Sequence, residues 1–134
     1  MTILRLLRAA GVAGVCLLVV LSVVPGAYRP HTGAPGDLEH LLAYGLTAAA
    51  LALGWRSPVH IVGIILGLLV LASGLEVAQL FVPGRGASWE TALVSGFGGL
   101  CGVVLGAGLL RAASLQMKGV ARYESPPRAR GRAS

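Results

Sequence analysis

The chain has 134 residues, of which 55% are hydrophobic and only 12% charged, with a formal net charge of +6. A soluble domain of this size carries about 25% charged residues, so there is too little polar surface to cover a globule in water. The 20 glycines and 5% aromatics suit helices packed closely in a membrane, where small residues let backbones approach.

Four apolar runs follow one another, each near the ~20 residues that cross a hydrocarbon core. The first goes from about Ala9 to Val24 and stops at Pro25-Gly26. Arg5 and Arg8 ahead of it, and Pro25-Gly26-Ala27 behind it, resemble a signal peptide with Ala27 as the cleavage position. Its apolar stretch is slightly long for that role, so the default reading is an uncleaved first span. The second run goes from about Leu38 to Leu53 and stops at Gly54-Trp55-Arg56-Ser57-Pro58. The third goes from Val59 to Val82 and stops at Pro83-Gly84-Arg85-Gly86. The fourth goes from about Trp89 to Leu110 and stops at Arg111. Pro and Gly clusters between the runs are turn signals, and the runs lack the two-residue alternation of a transmembrane barrel. The sequence therefore predicts an all-α integral membrane bundle of four transmembrane helices with short loops, occupying residues 1–110. Residues 111–134 are basic and lack apolar periodicity; they read as a mostly disordered tail.

Basic residues set the expected orientation. With four spans, both termini and the middle loop share a side. That side holds Arg5, Arg8, Arg56, Arg111, Lys118, Arg122, Arg128, Arg130 and Arg132, against Arg29 and Arg85 on the other. The positive-inside rule then puts both termini in the cytoplasm of a multi-pass inner-membrane protein. The charge is a topology signal and not a nucleic-acid footprint, because no basic domain exists to carry one. The tail's spread charges read more as a solvated stop-transfer segment than as a site for anionic lipid. Cys16 and Cys101 fall inside the first and fourth spans and read as packing residues. No metal-ligand spacing and no cofactor motif is present.

Ionisable groups inside a bilayer are costly and mark function by default. The second span opens with Asp37-Leu38-Glu39-His40-Leu41-Leu42-Ala43-Tyr44. His40 and Tyr44 are four apart and share a helix face, which Asp37 and Thr47 extend. The third span closes with Glu76-Val77-Ala78-Gln79, and Arg85 follows in the turn. The fourth opens with Ser88, Trp89 and Glu90, then Thr91 and Ser95 on one face. All of these fall near the outer face. They satisfy one another across helices, or they line a polar pocket; the residues alone weigh the two readings equally. In the second case His40 is a candidate acid or base oriented by Glu76, and Arg85 a candidate holder of phosphate or carboxylate. Glu76, His40 and Arg85 are expected to form one coupled cluster. His31 and His60 receive no role. Two glycine series suit close helix contact: Gly63 and Gly67 in the third span, and Gly98, Gly102 and Gly106 in the fourth.

The ordered set His40, Tyr44, Glu76, Gln79, Pro83, Gly84, Arg85, Ser88, Gly98 and Gly102, between about Gly36 and Gly106, resembles the VanZ-like membrane proteins. Where that family has Asp and Lys this chain has Gly36 and Asp37; Thr91 stands at the family Asp and Ser95 at the family Asn. The resemblance implies a four-helix bacterial membrane protein, and its named member is linked to resistance to teicoplanin-type glycopeptides. Two functions are in play. One is a non-enzymatic envelope protein whose outer pocket binds a lipid-linked cell-wall precursor, membrane lipid or glycopeptide. The other is an intramembrane enzyme using His40 and Glu76. The departures at Thr91 and Ser95 favour the first, since an enzyme tolerates loss of such residues poorly. A purely structural assembly partner is a third reading. The chain is short for a transporter built from inverted repeats and sets no oligomeric state.

Overall fold

The computed structural model describes residues 3–28, 30 and 33–124, with side chains described as far as Lys118. The described residues are all-helical, with no strand. Helix α1 spans Ile3–Val23, α2 Gly36–Gly54, α3 Pro58–Gln79 and α4 Trp89–Glu124. A short turn of 3-10 helix, Gly26–Tyr28, follows α1. Helices α1, α3 and α4 are long and apolar enough to cross a membrane, which fits a membrane protein. Arg29, His31 and the basic residues Arg128, Arg130 and Arg132 lie outside the described residues.

Local chemistry explains the helix boundaries. Pro58 stands at the start of α3, where its missing N–H costs nothing, and the Ser57 side chain accepts a hydrogen bond from the His60 N–H. That is an N-cap. The third run was expected to stay helical to Val82, but α3 stops at Gln79. Three successive turn bonds replace the ladder: Leu80 N–H to Val77 O, Phe81 N–H to Ala78 O and Val82 N–H to Gln79 O. Gly84, with φ +73°, then reverses the chain; a side chain at that φ is strained. At the other extreme, α4 does not stop at Arg111 but continues to Glu124. The segment expected to be disordered is therefore helical in its first half. The run Ala112-Ala113-Ser114-Leu115-Gln116-Met117-Lys118 contains no Gly or Pro and is made largely of strong helix formers. A helix of 36 residues is about 54 Å long, well beyond a ~30 Å hydrocarbon core.

The other three helices pack around α2, which touches each of them. Close contacts give the directions. On α1, Gly11 lies against Leu51 and Gly14 against Thr47, so α1 and α2 are antiparallel. On α4, Gly98 lies against Leu41, Gly102 against Gly45 and Gly106 against Ala49. Both series ascend, so α2 and α4 run parallel, with rows of residues four apart meeting in register. Between α3 and α4, Gly96 lies against Leu69 and Gly99 against Leu68, an antiparallel contact consistent with the short turn that joins them. The centre is small: Tyr44, Ala48 and Leu68 are buried with Leu18, Ala72 and Val103.

The α2–α4 seam is where glycine is required. A Cβ on Gly102 would stand 2.8 Å from the Gly45 carbonyl carbon and closer to its oxygen. A Cβ on Gly98 would stand 2.9 Å from Leu41 Cα. These are backbone atoms and cannot swing aside. The expected Gly63–Gly67 contact is different. A Cβ at either position meets nothing within 4 Å, so this pair faces away from the other helices. The sequence motif is the same, but α3 turns Leu68, Ala72, Leu75 and Gln79 inward instead.

At the end of the bundle opposite Arg85, a cation closes the α1–α2 pair. The Arg8 Nε donates to the Gly54 carbonyl at 2.9 Å, and its guanidinium lies 5.4 Å over the Trp55 ring. It satisfies a helix-terminal carbonyl and stacks on an aromatic face at once.

Candidate functional site

The polar residues singled out by the sequence stand together at the end of the bundle where α3 turns into α4. They divide into three groups by what they touch.

The first group joins α2 to α4. His40 and Tyr44 are one turn apart on α2, with their rings near parallel (15°) and centroids 6.5 Å apart. Tyr44 is buried. Ser95 on α4 is 1% exposed, and its Oγ lies 3.3 Å from His40 Nδ1. The direction of that hydrogen bond follows the imidazole tautomer.

The second group joins α3 to the start of α4. Glu76 is buried, and its Oε2 accepts the backbone N–H of Ser88 at 2.8 Å. Ser88 immediately precedes α4, so the carboxylate sits on the positive end of the helix dipole and satisfies an amide left open there. Nearby, the Ser88 Oγ donates to Glu90 Oε2 at 3.3 Å.

The third group is built around the turn. Arg85 Nε donates to the Val24 carbonyl at 3.2 Å, and its Nη2 donates to the Leu21 carbonyl. Leu21 lies in the last turn of α1 and Val24 just past its end, where a cation is favoured. The turn is tied to the same place by the main chain, through the Gly26 N–H to Pro83 O bond of 3.1 Å. Thr91 Oγ1 donates a long bond, 3.5 Å, to Asp37 Oδ1. Gln79 is 3% exposed, and its amide nitrogen is buried with no hydrogen-bond partner.

The Glu76–Arg85 pairing expected from the sequence is replaced by two separate arrangements. Glu76 takes the Ser88 amide, and Arg85 takes the α1 carbonyls. Both charges find helix ends of opposite polarity instead of each other. Nor does Glu76 orient His40, whose ring nitrogen meets Ser95.

Two cavities open among these groups. The larger, about 620 Å³, is a groove between α1 and α2. Leu17, Leu18, Leu21, Leu42 and Leu46 form apolar walls, and Glu39, His40 and Arg85 stand at its polar end. The smaller, about 220 Å³, is a polar chamber lined by Gly36, Asp37, His40, Gln79, Gly84, Arg85, Gly86 and Thr91. His40 and Arg85 line both. The groove walls carried no signal in the sequence, because every span has leucines and only packing says which of them face a gap. No group of three or more potential metal ligands exists among the described residues.

Fold and site together define a helical protein suited to a membrane, with a polar cluster at one end and an amphipathic cleft beside it. Comparison with known proteins returned no match to a family model, to a curated protein sequence or to a solved structure. The VanZ-like resemblance accordingly rests on the residue pattern alone.

Proposed function

We propose that this chain is a four-span protein of the bacterial cytoplasmic membrane, with both termini in the cytoplasm, that holds an anionic lipid-linked ligand at its outer face. The observation that carries the proposal is the groove between α1 and α2: leucine walls of hydrocarbon character with Glu39, His40 and Arg85 at the polar end, two groups able to carry positive charge against one carboxylate. An acyl or isoprenoid chain suits the walls, and a phosphate suits a guanidinium. The parallel register of α2 with α4 supports the fourth span. If α4 crosses the membrane, Leu41 to Ala49 lie at the same depth as Gly98 to Gly106. At 19 residues, α2 is about 28 Å long, close to the hydrocarbon thickness. It needs less apolar surface than its neighbours because protein and not lipid covers much of it.

The VanZ-like pattern adds a phenotype to this reading, modulation of sensitivity to teicoplanin-type glycopeptides through a lipid-linked cell-wall precursor. Acid–base catalysis by His40 and Glu76 has less support, since Glu76 is committed to the α4 terminus.

Leu46 lines the groove and is exposed, so Leu46→Trp adds bulk there without disturbing the core. Wild-type protein purified in mild detergent is expected to retain phosphate-bearing lipid, read by mass spectrometry, and Leu46→Trp to lose most of it. Equal retention by both would sink the groove reading. Glycopeptide sensitivity of cells expressing the two proteins tests the phenotype separately. For topology, Gly86→Cys is expected to react with an impermeant thiol reagent in intact cells, and Ser57→Cys only after lysis; the reverse pattern inverts the orientation.

A further inference from the structure

The small polar chamber beside the groove carries a selectivity that the groove alone does not explain. Its lining mixes signs and hydrogen-bonding senses: a carboxylate (Asp37), a guanidinium (Arg85), an imidazole (His40), a hydroxyl (Thr91) and a primary amide (Gln79). A second phosphate is a poor occupant, because Asp37 would face it. An ammonium headgroup is a poor occupant too, because Arg85 would face it. A neutral hydroxyl fits all of these groups. It donates to Asp37, accepts from Arg85 or the Gln79 amide, and does both with Thr91.

Gln79 makes the argument specific. It is 3% exposed, yet its amide nitrogen has no partner. A buried amide left unpaired is destabilising, and leucine would fill a similar volume without that cost. A half-turn of the terminal amide presents either its oxygen or its NH2 to the chamber, so Gln79 meets a group that donates, accepts or does both. The chamber's volume, about 220 Å³, has room for a single sugar ring or a short polyol.

We infer that the chamber reads a hydroxyl-bearing headgroup, a sugar or polyol joined through a phosphodiester, with Gln79, Asp37 and Thr91 contacting its hydroxyls and Arg85 and His40 at the phosphate. This rests on the groove reading above and deepens it. The two cavities meet at His40 and Arg85, which is where a phosphodiester stands between a lipid chain and its headgroup.

The test uses lipids that share acyl chains and a single diester charge but differ in hydroxyls: phosphatidylmethanol, phosphatidylglycerol and phosphatidylinositol. Each is titrated into full-length protein in detergent, and binding is read by native mass spectrometry. Wild-type protein is expected to bind phosphatidylglycerol and phosphatidylinositol on the order of tenfold more tightly than phosphatidylmethanol, the scale of one good hydrogen bond. Gln79→Leu is expected to bring the three lipids close to parity. Its thermal stability is expected to be unchanged or raised, because it removes an unpaired amide. Equal wild-type affinity for the three overturns the inference while the groove reading stands. Failure to bind any of them overturns both. Preference for hydroxyls that survives Gln79→Leu and Asp37→Asn removes the chamber as its source. A polyprenyl phosphohexose titrated beside phosphatidylinositol separates the two sources of this chemistry: tighter binding of the former assigns the site to lipid-linked sugars, and of the latter to ordinary phospholipid.

Discussion

The α2–α4 seam and the outer face of α3 carry similar glycine spacings and opposite roles. In the seam, Gly98, Gly102 and Gly106 press against the α2 backbone at Leu41, Gly45 and Ala49. On α3, Gly63 and Gly67 meet nothing and lie among exposed Val59, Val62, Leu66 and Val70. Spacing of four places small residues on one face of a helix; it does not say whether a second helix comes to that face. What separates the two cases is the partner. The α2 row offers Gly45 and Ala49 at two of the matching positions and the Leu41 backbone at the third, so two backbones close together. Where α3 meets α4, α3 itself supplies leucine side chains, Leu68 and Leu69 being met by Gly99 and Gly96. There the small residues belong to α4 and the large ones to α3.

The sharpest way to break this comparison is one substitution in each region. Gly102→Leu drives a side chain into the Gly45 peptide. Overpacking a core typically costs 1–3 kcal/mol and sometimes more, and a backbone neighbour puts this case at about 3 kcal/mol or above. The expected result is loss of most folded protein on detergent extraction, read by size-exclusion chromatography. Gly67→Leu in the same assay is expected to fall within about 0.5 kcal/mol of wild type. Comparable losses at both positions would show that α3 packs against a partner through its glycine face.

An intermediate effect is expected at Glu76. Its carboxylate accepts the Ser88 amide at the start of α4, and a hydrogen bond to a charged group contributes about 1.5–3 kcal/mol. Glu76→Gln keeps the shape and loses the charge, so a cost of about 1–2 kcal/mol is expected in thermal unfolding. An unchanged or raised melting temperature would mean that the carboxylate is a liability at this helix end.

The smallest effect is a coupling. Since Glu76 and Arg85 hold different partners, a double-mutant cycle of Glu76→Gln and Arg85→Gln is expected to be additive within about 0.5 kcal/mol. A coupling above about 1 kcal/mol would restore the direct ion pair that the sequence suggested.

Much was legible from the order of residues along the chain. Long apolar runs punctuated by Pro and Gly gave four helices, since a helix is the only local solution that satisfies every backbone group of such a run. The i,i+4 spacing of His40 and Tyr44 put them on one face, and the clustering of polar residues near span ends placed them in one layer. Boundaries were less legible. The third run stays apolar to Val82, but hydropathy does not register the turn bonds that end α3 at Gln79. The positive charge after Arg111 suggested disorder, although a helix leaving a bilayer tolerates charge as well as a loop does.

Pairings depended on the tertiary structure. A buried charge needs an opposite charge or a dipole, and the sequence shows only the charges. Arg85 and Glu76 are nine residues apart, which made them a natural pair. Folding instead brought the carbonyl end of α1 to Arg85 and the amide end of α4 to Glu76, and helix ends are partners that no single residue announces. The cleft was hidden for a similar reason. Leucines that line a gap and leucines that fill one are the same residue, and only the packing of α1 on α2 leaves Leu17, Leu21, Leu42 and Leu46 facing open space.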